Sequence, residues 1–261
     1  MELKAYTQAE FAALKRDGDG YINLPQGDWS DVDLGYTHKL RIAPCSTMGD
    51  RCHLGNECHI GDWCVLGDWC VLGNECILGD WCRVGEYSEF GDDCTIGARC
   101  VLRHGCHFGD RCAIGDDSTL VSCTLGNACR IGNNCTTYYT CVFGNNCTIG
   151  DGVSLGENSE LGDECRLGDG CRAGNHLQIG ARSVIDSNLV VESWCRLGND
   201  CIIGDCSMFG DKCVFGERCV IGDCCTIGYR CDIPDTCSIG EGWEIAGEWD
   251  DSWVDDEDDD E

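Results

Sequence analysis

Between Gly49 and Ile245 the chain places apolar and polar residues on a six-residue beat: glycine, acid or amide, any residue, cysteine, any residue, aliphatic, as in GDWCVL (Gly61 to Leu66) and GDKCVF (Gly210 to Phe215). There are 33 such units with one break, where VSCTL (Val121 to Leu125) is one residue short. The sixth position is Leu, Ile, Val or Phe in 31 of the 33 units and the fourth is Cys in 24, so both face inward. Two inward positions flanking one outward residue make a short strand of period two. The Gly and the Asp or Asn that follows it read as a tight corner tolerant of unusual backbone dihedrals. A fixed short period marks a solenoid, in which each unit buries its face only by stacking on its neighbours.

This pattern resembles the hexapeptide-repeat proteins, whose unit is an aliphatic residue, Gly, two variable residues, a small residue and another variable one. Leu54, Gly55 and Cys58 match it, and the match recurs along about three quarters of the chain. The resemblance implies an all-β fold, a left-handed parallel β-helix of triangular section with three units per coil. Residues eighteen apart then stack, and the count of units gives about 12 coils. At about 4.8 Å between stacked strands the rod is roughly 55 Å long. Upstream of Gly49, Leu34 and Leu40 fall on the fourth position and Tyr36 and Ile42 on the sixth.

Three regions follow. Residues 1–30 are expected to form a helical cap: Thr7 and Glu10 have capping-box spacing, Phe11 and Leu14 give a short apolar stripe, and Asp17 to Gly20 (DGDG) ends the helix after about two turns. Residues 31–245 form the β-helix, with Trp243 expected to plug the last coil and Ile245 as the final inward aliphatic residue. Residues 246–261 are an acidic tail, expected to be disordered.

The 27 cysteines would suit a secreted disulfide scaffold, but nearly all sit where the repeat requires a small buried residue. Their spacing of six gives no zinc framework of paired CxxC motifs. They read as reduced thiols in a cytoplasmic protein, with no signal peptide and no apolar run long enough for a membrane span. Cys45, Cys206 and Cys224 are out of phase. The last two face outward eighteen residues apart, within reach of a surface disulfide.

The formal net charge is -29, and ten of the acids lie in Glu248 to Glu261, which holds no base, leaving -19 on the rest. Sorting the second positions by face places Asp62, Asp80, Asp116, Asp151, Asp169, Asp205, Asp223 and Glu241 on one edge. Asp and Asn both suit a corner, so the excess of charged over neutral residues is the informative part. Calcium could neutralise such a ladder, but the nine-residue calcium repeat of parallel β-rolls is absent. No metal or cofactor is expected. Trp249 and Trp253 punctuate the acids of the tail, much as flat bases punctuate the charges of a single nucleic-acid strand.

Some outward positions are not polar. Trp63 and Trp81 stack on one edge with Arg99 next in the column, and Trp69 and Tyr87 stack on another. Val184, Ile202 and Val220 form an apolar stripe across three coils, suited to self-association or a partner contact.

Acyltransferases and gamma-class carbonic anhydrases share the implied fold and work at the clefts of trimers. Acyl transfer would use a histidine as general base, drawn from His38, His53, His59, His104, His107 and His176, but the external loop usual in those enzymes is missing. A zinc site needs three histidines, and His53 and His107 lie three coils apart on one face. The favoured reading is therefore a non-enzymatic acidic binding protein with a basic partner surface, in its most concrete form a nucleic-acid mimic that inhibits a DNA- or RNA-binding protein. It would bind neither nucleic acid nor membrane itself. Pentapeptide-repeat proteins that imitate DNA supply an analogy, and decoys of that kind are frequent among phage countermeasures against host defence. The alternatives are a trimeric acyltransferase, and a structural rod or assembly module joined through the apolar stripe.

Overall fold

The computed structural model describes residues 3–246. The tail beyond Ala246, with Trp249 and Trp253, lies outside the described residues.

Nearly every six-residue unit contributes a strand of two or three residues, and every third unit stacks in register: Arg41 pairs with His59, His59 with Ile77, and Ile77 with Thr95. All the named strand pairs are parallel. Three sheets result. The first has 13 strands, from Ile22–Leu24 to Ser238–Ile239. The second has 12, from Thr47–Met48 to Glu244–Ile245. The third has nine, from His53–Leu54 to Arg196–Leu197, and continues as single bridges through Val214 to Asp232. The chain visits them in the order second, third, first, closing a left-handed β-solenoid of about 12 turns.

The core is a stack of sixth-position aliphatic residues lined by fourth-position thiols. Of the 24 in-phase cysteines, 22 are buried and only Cys231 and Cys237, near the open end, are half-buried. The choice of cysteine has a geometric reason. Among the described residues no backbone donor reaches the Gly61, Gly73 or Gly91 carbonyl, and the thiol of the next coil supplies one: Cys82 donates to Gly61 at 3.2 Å, Cys94 to Gly73 at 3.2 Å and Cys112 to Gly91 at 3.2 Å. Where serine replaces cysteine it donates within its own unit, as Ser183 does to Gly180 at 2.9 Å, and it accepts the Cys165 N–H from the coil below. Among the described residues no buried side-chain nitrogen or oxygen lacks a partner.

The corners differ from the expectation in one respect. The left-handed backbone falls on the third position, at Trp63 (φ 60), Trp69 (φ 60), Lys212 (φ 58) and nearly every equivalent residue, not on the glycine or the acid. The first-position glycine is needed for space. A Cβ on Gly79 would lie 2.7 Å from the Asp62 backbone nitrogen in the coil below. The second-position Asp or Asn is needed as an acceptor. Its Oδ1 takes the N–H of the residue stacked on it, as in Asp62 to Asp80 (2.9 Å) and Asn74 to Asp92 (3.0 Å).

The short unit has lost its glycine. Val121 and Ser122 take the second and third positions, and Ser122 carries the positive φ of 49. In the next coil Thr137 replaces an aliphatic residue, and its buried hydroxyl accepts the Gly156 N–H at 3.0 Å.

At the N-terminal end a helix, α1 (Gln8–Ala12), has the expected capping box between Thr7 and Glu10 but spans only five residues. The first sheet already begins at Ile22–Leu24, within the segment read as the cap. The plug is Trp29, only 1% exposed, with Tyr6 stacked on it at 4.1 Å and Phe11 edge-on at 6.5 Å. Three placements from the sequence fail. Tyr36 does not point inward but is 67% exposed, because Gly35 turns the chain at φ 56 before the hexads are in phase. Trp243 and Ile245 sit on the last described coil, where Trp243 is 42% and Ile245 63% exposed, so neither closes the end.

Candidate functional site: three edges of unlike chemistry

A triangular rod has three edges, and the second and third positions of each unit decide what each edge displays. On the edge between the first and second sheets, the eight acids named from the sequence form the expected column, interrupted by Ala98, Asn133 and Ser187. Each Asp in it spends one oxygen on the ladder, for example Asp116 on Asn133 (2.7 Å), Asp151 on Asp169 (2.9 Å) and Asp223 on Glu241 (2.7 Å). Among the described residues none of the eight has a Lys or Arg nitrogen within 4.0 Å. Beside them stand Trp63 and Trp81, stacked at 4.8 Å with planes 3° apart, and the Arg99 guanidinium 5.2 Å from the Trp81 ring. With Val65, Arg83 and Val101 these rings line an open groove of about 460 Å³. Cys206 and Cys224 lie on neighbouring coils of the same edge, both as free exposed thiols.

The edge between the third and first sheets is electrically paired. Asp93 and Arg111 (2.8 Å), Glu164 and Arg182 (2.9 Å), and Asp200 and Arg218 (2.7 Å) bridge successive coils. The Arg111 guanidinium holds the Asp93 carboxyl below its ordinary range, and Arg218 does the same to Asp200.

The edge between the second and third sheets carries Trp69 stacked on Tyr87 at 4.7 Å, with His104 edge-on to Tyr87 at 5.5 Å. Higher on that edge the column continues with Asn158, His176, Trp194, Lys212 and Arg230, which the sequence reading did not group. The eighteen-residue spacing that paired Trp63 with Trp81 would have found them. The Lys212 ammonium lies 4.1 Å from the Trp194 ring centroid and His176 stacks below it at 6.2 Å. Together with Gln178, Arg196 and Val214 they line a groove of about 560 Å³.

The apolar stripe is where the sequence placed it. Val184, Ile202 and Val220 pair in register across the first sheet, Ile202 being 49% and Val220 48% exposed.

The histidines do not converge. His38 Nδ1 accepts the Asn56 N–H at 2.8 Å, standing in for a ladder aspartate. His53 packs on Tyr36 at 5.0 Å, His59 on Tyr21 at 5.2 Å, and His107 lies three rungs above His53 in the third sheet. Among the described residues no three His, Cys, Asp or Glu side chains are grouped as metal ligands, and no helix is long and apolar enough to cross a membrane.

No curated protein and no solved structure matches the chain. A family model described as the hexapeptide repeat of succinyl-transferase matches residues 90–115, 106–137 and 140–162. That match, the six-residue pattern from Gly49 to Ile245 and the stacking of every third unit into parallel sheets together fit a hexapeptide-repeat parallel β-helix protein.

Proposed function

We propose that this protein is a non-enzymatic acidic binding protein whose partner presents a basic surface, and that it works by imitating a nucleic-acid strand. The observation that carries the reading is the edge between the first and second sheets, where unpaired carboxylates stacked at the coil repeat run beside the Trp63 and Trp81 rings. Charges at a regular rise beside flat apolar faces are what a single-strand-binding groove recognises.

Magnitudes favour a single strand over a duplex. The net charge of -29, less the ten acids of residues 248–261, leaves -19 on the body. Spread over about 55 Å, this is one net charge per roughly 3 Å for the three edges together, near the about 3.4 Å of one strand and well short of the about 1.7 Å of duplex DNA, and the second positions of the acidic edge supply at most one charge per coil of about 4.8 Å. Long-range attraction would speed encounter and make it salt-sensitive, while the tryptophans add contact that charge alone lacks.

Capture from host lysate, with elution by salt and by oligonucleotides, tests the reading. The expected captured proteins bind nucleic acid, are released by about 0.5 M salt, and are displaced by single strands better than by duplex. Captured material indifferent to both salt and oligonucleotide would overturn it.

A further inference from the structure

Lys212 and Arg196 stand out in so acidic a molecule. They line one groove with Trp194, His176 and a single carboxylate, Glu160, which Gln178 hydrogen-bonds at 3.2 Å, and among the described residues neither cation has a carboxylate within 4.0 Å. The same edge is the least acidic in its upper half, where the second positions are Asn175, Ser193, Asp211 and Tyr229. The described chain ends directly above it. The Ala246 N–H donates to Ile227 at 3.0 Å, so the described chain stops at the head of the column that runs down through Arg230 to Lys212 and Trp194.

We propose that residues 247–261 of this chain turn back along this edge and occupy the Trp194, Arg196 and Lys212 groove. The segment has ten acids and no base, with Trp249 and Trp253 near its start. Lys212 lies about two coils below the level of Ala246, about 10 Å, and fifteen residues span up to about 50 Å. Covalent attachment raises the effective concentration of the segment at the groove to about the millimolar range, where weak ion pairs suffice. A docked segment screens Arg196 and Lys212 from outside anions and holds the tail's tryptophans against the rod. This inference rests on the groove and on the sequence of the segment, and it stands or falls without any external partner.

Lysine distribution makes the test clean. Lys4, Lys15 and Lys39 lie at the far end, and Lys212 is the remaining lysine of the chain. Zero-length carbodiimide cross-linking of the full-length protein, read by peptide mass spectrometry, joins amines to carboxylates in contact. The expected product is an intramolecular link between Lys212 and the 248–261 segment in the monomer. It should fall at least fivefold in about 0.5 M salt and in the double variant Arg196→Glu, Arg230→Glu. Acetylation of the free Lys212 amine serves as a control for its reactivity. The proposal is overturned by links spread evenly over all four lysines, by a link confined to cross-linked dimers, by no link to a Lys212 that acetylates normally, or by a link indifferent to salt and to the double variant.

Discussion

Asp80 Oδ1 accepts the backbone N–H of Ala98, eighteen residues on, at 2.8 Å. The bond explains why the repeat requires Asp or Asn after its glycine, and it separates the structural role of this side chain from its charge. Asp80→Asn keeps the acceptor and removes a like charge from a stacked column, so stability should hold or rise slightly. Asp80→Ala leaves the Ala98 N–H without its partner and should cost about 0.5–1.5 kcal/mol. Paired thermal melts of the two variants check the ordering.

Glycine at the first position is a matter of space. Gly79→Ala drives a methyl group against the Asp62 backbone, which cannot retreat without breaking the ladder, so a loss of about 1–3 kcal/mol or more is expected. Gly170 is different: it has φ +66 with nothing within 4 Å of an added Cβ. Gly170→Asn should be nearly silent, since Asn tolerates that backbone. Denaturant midpoints of the two variants distinguish the positions.

Burial pushes the Cys135, Cys141 and Cys171 thiols up from their ordinary range, and the thiolate is the reactive form. In the folded protein, Cys45, Cys206 and Cys224 should react quickly with a thiol reagent, Cys231 and Cys237 slowly, and the 22 buried residues only on unfolding. A time course of labelling, mapped by mass spectrometry, checks this.

The cap gives a pH-dependent signal. Hydrogen bonds from Lys4, and then from Thr7, hold the Glu10 carboxyl at about 2, below its ordinary 4.5. A carboxyl lowered in the folded state adds stability above its unfolded value and loses it as pH falls toward the folded one. Wild type should therefore melt above Glu10→Gln at neutral pH, by a small margin because the pair is exposed. The gap should close between about pH 4.5 and 2. A gap that widens in acid contradicts the capping account.

Much of this fold is legible in the sequence because a solenoid repeats its local rule, so Leu54, Gly55 and Cys58 already imply the stacking of hundreds of atoms. Phase fails first where the rule does: Tyr36 precedes the regular hexads, and Ile245 sits on the last described coil. The meaning of the first three positions was hidden because their partners lie eighteen residues away. Single-unit reasoning assigned the unusual backbone to the glycine and the acid or amide after it, whereas the left-handed residue is the third, even when it is Trp63 or Trp69. On the surface, like residues eighteen apart were easy to see, as with Trp63 and Trp81. A column of unlike ones, His176, Trp194 and Lys212, was not.

The most direct measurement uses the ladder itself. A variant with Asp62, Asp80, Asp116, Asp151, Asp169, Asp205 and Asp223 all changed to Asn retains every Oδ1 acceptor and loses seven charges from one edge. It should fold and melt at or above the wild-type temperature, yet capture the basic partner at least tenfold more weakly. Undiminished capture by the folded variant would contradict the claim that this acidic edge is the binding surface.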